Sequence, residues 1–111
     1  MKRSLLFIGY DAQVEQEIRE SLCDKVSECF FVQTPVEAIR TVDDHAVDCV
    51  VLNFSAFSDA SLIRYFSQYH PGIRLVLSAS REFDEVISIF SESTYSRLPR
   101  PFRLEQLREM I

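Results

Sequence analysis

Short apolar runs separated by amphipathic stretches make up the whole chain. Leu5-Leu6-Phe7-Ile8 is continuous rather than alternating, the pattern of a strand covered on both faces, and it stops at Gly9. Asp11 can then act as an N-cap, its carboxylate accepting from a free backbone N–H, before Val14, Ile18 and Leu22 recur at a spacing of four. That stripe predicts a first helix, with Glu15, Glu17, Arg19 and Glu20 off it. Cys29-Phe30-Phe31-Val32 predicts a second strand. Thr34-Pro35-Val36-Glu37 follows with a capping hydroxyl, a proline suited to the first helical position and a glutamate placed to complete a capping box, so a second helix runs to about Asp43. Val47 to Phe54, containing Val50-Val51-Leu52, is the most β-prone segment and the predicted central strand, ending on Asn53.

A third helix is expected from near Asp59, carrying Leu62, Ile63 and Phe66 on one side and stopping before His70-Pro71-Gly72. Ile73 to Leu77 is the fourth strand, terminating at Ser78. Phe83, Val86, Ile87 and Phe90 form the stripe of a fourth helix, Tyr95 to Leu98 a short fifth strand, and Leu104, Leu107 and Ile111 a fifth helix. Strict alternation with short connections implies a five-stranded parallel sheet, right-handed crossovers and helices on both faces, a doubly wound (βα)5 three-layer α/β sandwich. In such a fold the functional crevice lies beyond the carboxyl ends of the strands, where strand order reverses. The residues there are Gly9, Tyr10 and Asp11, then Asn53 to Phe57, Ser78 and Ala79, and Pro99, Arg100 and Pro101.

With 111 residues and no repeat or linker, residues 1–111 read as a single domain. The fifth helix is barely three turns long where the chain ends, as expected of a segment excised from a larger protein. Apolar residues at 47% and charged residues at 26% are a globular composition. The longest apolar runs are far too short to cross a bilayer, and the basic start followed by Leu5 to Ile8 fits a strand better than a signal peptide. No membrane association is expected. Cys23, Cys29 and Cys49 are odd in number and lack a CxxC spacing, and His45 and His70 stand alone. They predict no disulfide framework and no zinc site, but three small apolar residues in a reducing cytoplasm. A net charge of −5 argues against nucleic-acid binding by this domain. Arg97, Arg100, Arg103 and Arg108 do gather near the end, as an anion contact or, in the plainer reading, as a solvated, salt-bridged face.

The strand-end residues resemble those of response regulator receiver domains, the CheY-like members of the flavodoxin-like folds, and the resemblance spans essentially the whole chain in the right order. That family's first strand ends in two acidic residues, its third in the phosphorylated Asp, its fourth in Ser or Thr followed by Ala, and its fifth is followed by Lys-Pro-Phe. The matching segments are Leu5 to Ile8, Val50 to Asn53, Leu77-Ser78-Ala79 and Arg100-Pro101-Phe102, with Leu98-Pro99-Arg100-Pro101-Phe102 the nearest match. The five-unit layout and the spacing of 22 between Ser78 and Arg100 make the combination specific.

The departures fall on the chemistry. In the family the acidic pair holds a magnesium ion through oxygen ligands, and the ion neutralises charge on the incoming phosphoryl group. Gly9 and Tyr10 offer no carboxylate, and Asp11 occupies the third position, which in the family is often acidic but is not the main ligand, and has the capping role, so magnesium binding is expected to be lost and no other cofactor is implied. The amide of Asn53 lacks the anionic oxygen needed to form an acyl phosphate. Arg100 keeps a positive charge, but as a planar fork where the family has a compact ammonium. Ser78 corresponds to the hydroxyl that bonds the phosphoryl group, although a serine at a strand end commonly bonds a nearby turn. The aromatic switch position of the family is Arg97 here. Tyr10 and Phe57 are expected either to pack together over the site or to form an exposed contact patch.

The resemblance therefore implies an atypical receiver of the two-component, phosphorelay type of signal transduction that is independent of phosphorylation. It would act not as an enzyme but as a protein interaction module through the face of the fourth helix, fifth strand and fifth helix. Ile89, Ser96 and Arg97 are expected to project there as a mixed apolar and basic patch, for an unidentified protein partner or a homodimer. Two alternatives are a sensory domain taking a small anion or metabolite in the crevice through Arg100, Asn53 and Ser78, and a receiver phosphorylated at an unusual site such as Ser55 or Ser58.

Overall fold

Each strand of the chain feeds a helix that packs back onto the sheet, in the order expected from the pattern. The computed structural model describes residues 3–90, 95–100 and 102–111, so Pro101 of the matched segment lies outside the described residues. The elements are β1 (Arg3–Ile8), α1 (Ala12–Leu22), β2 (Val26–Val32), α2 (Pro35–Asp44), β3 (Cys49–Phe54), α3 (Ala60–Tyr69), β4 (Arg74–Ala79), α4 (Asp84–Ile87), β5 (Ser96–Pro99) and α5 (Leu104–Met110). Short 3₁₀ turns at Phe57–Asp59 and Arg81–Phe83 lead into α3 and α4. All four strand pairings are parallel and the order is β2-β1-β3-β4-β5, the flavodoxin-like order with β3 at the centre.

The two sheet faces bury separate cores. Leu6, Ile8, Val50, Leu52, Phe54, Leu75 and Leu77 meet α2, α3 and α4 through Ala38, Val42, Leu62, Ile63, Phe66 and Ile87. Leu5, Phe7, Cys49, Val51, Val76 and Leu98 meet α1 and α5 through Ile18, Leu22 and Leu107. Burying both faces is why the inner strands read as continuous apolar runs. β2, at the sheet edge, starts at Val26 rather than Cys29: Ser27 falls at a shift in register and Glu28 pairs with Ser4 of β1, both exposed, so their polarity hid their strand character.

Caps fix the helix starts. Asp11 Oδ1 accepts from the Val14 N–H at 2.9 Å, and Thr34 Oγ1 accepts from the Glu37 N–H at 3.2 Å. The expected capping box is altered: the Glu37 carboxylate accepts a hydrogen bond from the Thr34 hydroxyl at 3.0 Å. α4 is shorter than its stripe predicts. Phe83 stands in the 3₁₀ turn, Val86 and Phe90 rest half-buried on the core, and only Phe83 and Ile87 are fully buried. The cysteines also depart from expectation. Cys49 is buried, which pushes its thiol up to about 11, but Cys29 is half-buried and Cys23 exposed, since it caps the end of α1 rather than facing the core.

Polar side chains clamp α5 to the rest. Arg108 spans Asp24 with two bonds of 2.6 and 2.5 Å and donates to the Ser21 carbonyl at 2.6 Å. Lys25 Nζ donates to the Arg108 carbonyl at 2.9 Å, and Arg74 donates to the Met110 carbonyl. The Arg108 hydrogen bond holds the Asp24 carboxyl down at about 2, below its ordinary 3.8. A lowered pKa in the folded state gives a contribution present above the unfolded value and lost as pH falls through the folded one. In acid titrations of stability, Asp24→Asn is expected to remove part of the decline between those two values, and amides of α5 in the wild-type chain should lose exchange protection in that window.

Candidate functional site

β1 and β3 lie side by side, but α1 packs on one sheet face and α3 on the other, so a crevice opens between the two strand ends. Gly9 and Asn53 stand on its two sides. Gly9 has φ +86°, the one positive φ among the described residues, and its N–H donates to the Val32 carbonyl at 2.9 Å. Its carbonyl accepts from Asn53 Nδ2 at 2.8 Å, which ties the end of β1 to the end of β3. A Cβ on Gly9 would meet Asn53 Cβ at 3.5 Å, ordinary van der Waals contact, so backbone conformation rather than space favours glycine here.

Tyr10 turns inward. Only 5% of its surface is exposed, its ring packs edge-on against Phe7 at 5.9 Å, and Gln33 Nε2 donates to its carbonyl at 2.6 Å. Burial pushes its phenol up to about 12, against smaller opposing effects of the Ser78 hydroxyl and the Arg100 charge. Those two residues therefore flank the Tyr10 hydroxyl. Ser78 is fully buried, and neither hydroxyl makes a hydrogen bond of good geometry among the described residues. Ser78 thus does not bond a nearby turn as its strand-end position suggested. Asn53 Oδ1 and Arg100 Nε are likewise buried without partners. Arg100 Nη2 donates to the Phe54 carbonyl at 2.9 Å, laying the guanidinium over the end of β3.

The nearby carboxylates are engaged. Asp11 caps α1, and Asp59 Oδ2 accepts from the Ser55 and Ala56 N–H groups at 2.9 and 3.0 Å, holding the loop after β3. Among the described residues no three of His, Cys, Asp and Glu gather where they could hold a metal ion. A cleft of about 420 Å³ opens above Gly9, Tyr10, Asn53 and Arg100, walled by Val14, Phe102 and Leu104, with Asp11 and Glu17 at its edge.

Gly9, Tyr10, Asp11, Asn53, Ser78 and Arg100 thus come together. Ile89, Ser96 and Arg97 do not form one patch. Neighbours on a strand point to opposite faces: Ser96 shares the α1/α5 side with Leu98, whereas Arg97 lies on the α4 side. Arg97 bends back onto Asp84 at 2.7 Å, leaving Ile89 exposed without a free basic neighbour from β5. Tyr10 and Phe57 also separate, since Phe57 is 65% exposed and leans edge-on against Phe83. Gln33 was missed, although it directly follows β2 and so obeys the same strand-end rule as the others. Asp84 gave no signal beyond being an acid in a helical stripe.

No family model matches the sequence, and no curated protein matches it. Solved structures do. A signal receiver domain of an HD domain-containing protein from Pseudomonas fluorescens Pf-5 superposes with a TM-score of 0.81 at 15% identity, covering 98% of this chain and 90% of that one. A response regulator receiver protein from Sinorhizobium medicae WSM419 gives 0.76 at 19% identity, covering 96% and 89%. The isolated REC domain of RcsB from Salmonella enterica serovar Typhimurium, in the presence of phosphomimetic BeF3−, gives 0.81 at 13% identity, covering 98% and 85%. The chain has the fold of response regulator receiver domains.

Two substitutions probe the site. Gly9→Ala is expected to destabilise by about 1–2 kcal/mol, the cost of a left-handed backbone for an L-residue, in denaturant unfolding. Tyr10→Phe removes a buried hydroxyl that lacks a partner and is expected to leave stability unchanged or raise it by about 1 kcal/mol. The raised phenol pKa protects the fold below the ordinary tyrosine value of 10 and is lost as pH climbs toward about 12, so Tyr10→Phe should also reduce the alkaline decline in stability.

Proposed function

We propose that this domain is a receiver-type signalling module that works without phosphorylation at its third-strand position and holds no magnesium. It is not an enzyme, and it acts by binding a protein partner or a second copy of itself through the side formed by α4, β5 and α5. The receiver fold itself suggests signal transduction. What supports independence from phosphorylation is the Asn53 side chain, whose Nδ2 is committed to the Gly9 carbonyl at 2.8 Å. An amide offers no anionic oxygen to attack phosphorus. The acid nearest the first strand end, Asp11, is occupied as a cap, so a divalent cation would meet the Gly9 and Tyr10 backbone and an amide rather than carboxylates. The interaction reading rests on Ile89, 62% exposed just beyond α4, and on α5, which Arg108 ties to Asp24 and whose Leu107 shares a core cluster with Leu98 of β5.

Incubation with acetyl phosphate and magnesium, followed by intact-mass measurement, is expected to leave the chain unmodified, and Asn53→Asp alone should remain unmodified because no acidic pair is created. Beryllofluoride should not shift the amide signals of Asn53 and Ser78. Any association seen by sedimentation should be unaffected by these reagents and reduced by Ile89→Lys. A phosphoryl mass gain on the wild-type chain rules the reading out.

A further inference from the structure

A second cavity, of about 370 Å³, lies beyond the end of β4 and is lined by Ala79, Arg81, Asp84, Arg97 and Arg100. Three guanidiniums share this space with one carboxylate. Asp84 is engaged by Arg97 at 2.7 Å, but its side chain is 57% exposed, and ion pairs so open to water contribute little and exchange readily. Arg97 also donates from Nη2 to the carbonyls of Ala79 and Ser80, both at 3.4 Å, long for good hydrogen bonds. Among the described residues every side-chain bond of Arg97 and Arg100 runs through Nη2. The Nε of each is buried without a partner, and Arg81 has no carboxylate partner among the described residues. A guanidinium carries five N–H donors and no acceptor, so among the described residues the cavity holds a surplus of donors and two positive charges beyond what Asp84 balances.

The geometry points to a binding site for a small dianion, a phosphate ester or a dicarboxylate, held between Arg81, Arg97 and Arg100. Such a group brings acceptors without donors and two negative charges, and planar forks grip its oxygens in pairs. Arg100 stands between this cavity and the cleft at Asn53, lining both, while the ligand contacts fall on the β4 and β5 side. Asp84 competes with the ligand for Arg97, so occupancy would release the Arg97–Asp84 pair and with it the contact between β5 and α4. The site does not depend on how Asn53 behaves.

The test is a titration of the whole chain with inorganic phosphate, and separately with succinate, at fixed ionic strength against chloride, following the arginine Nε–H signals. Saturable shifts at Arg97 and Arg100 with one or both dianions, absent with chloride, are expected. Arg97→Gln and Arg81→Gln should each weaken binding about fivefold or more. Asp84→Asn, which keeps the fold's surface shape but removes the competing charge, should tighten it. Shifts that grow linearly and match chloride, or a phosphoserine peptide binding far more tightly than free phosphate, overturn the assignment to a small free ligand. Asp84→Asn with unchanged or weaker binding overturns the competition for Arg97.

Discussion

Backbone pairing of β3 on both edges is the constraint from which the rest follows. Cys49 to Leu52 pairs with β1 on one side and with β4 on the other and faces helices above and below, so nothing polar can enter the strand before Asn53. Its neighbours inherit that demand: Leu5 to Ile8 and Leu75 to Leu77 are apolar for the same reason. Polar chemistry is thereby pushed to one end of the sheet. Because the helices after β1 and β3 depart to opposite faces, that end also opens into a cleft lined by residues from several strand ends.

Neutral polar groups dominate the strand ends. An amide meets a carbonyl between Asn53 and Gly9, two hydroxyls face each other at Tyr10 and Ser78, and the sole formal charge beside them is Arg100. A phenol resists ionisation strongly in such surroundings, which measures how poorly the site solvates an anion at that point. Positive charge concentrates instead a short way off, around Arg81 and Arg97, where a carboxylate already balances part of it.

The layout was legible in the sequence where local physics and burial agreed. Asp11 and Thr34 cap the helices assigned to them, and the inner strands carry the continuous runs that two-sided burial requires. The candidate site was legible as a set because strand ends converge in any doubly wound sheet. Legibility failed where tertiary context chose between equal local options. Ser27 and Glu28 look like loop yet belong to β2, and the stripe from Phe83 to Phe90 is longer than the helix it contains. Arg97 reads as a solvent-facing base on a short edge strand, and only the fold of the β4–α4 connection brings Asp84 within its reach. No spacing rule announces a pairing of that kind.

The left-handed backbone at Gly9 shapes the mutational paths open to this chain. A version with acidic residues after β1 needs a new side chain at a position whose conformation disfavours one, the removal of a buried tyrosine from the Phe7 side of the core, and a carboxylate beside the Gly9 carbonyl that now accepts from Asn53. Taken singly, each change is a loss before any gain in chemistry exists to offset it. The three positions are therefore coupled, and single substitutions offer no gradual route toward a metal-binding site.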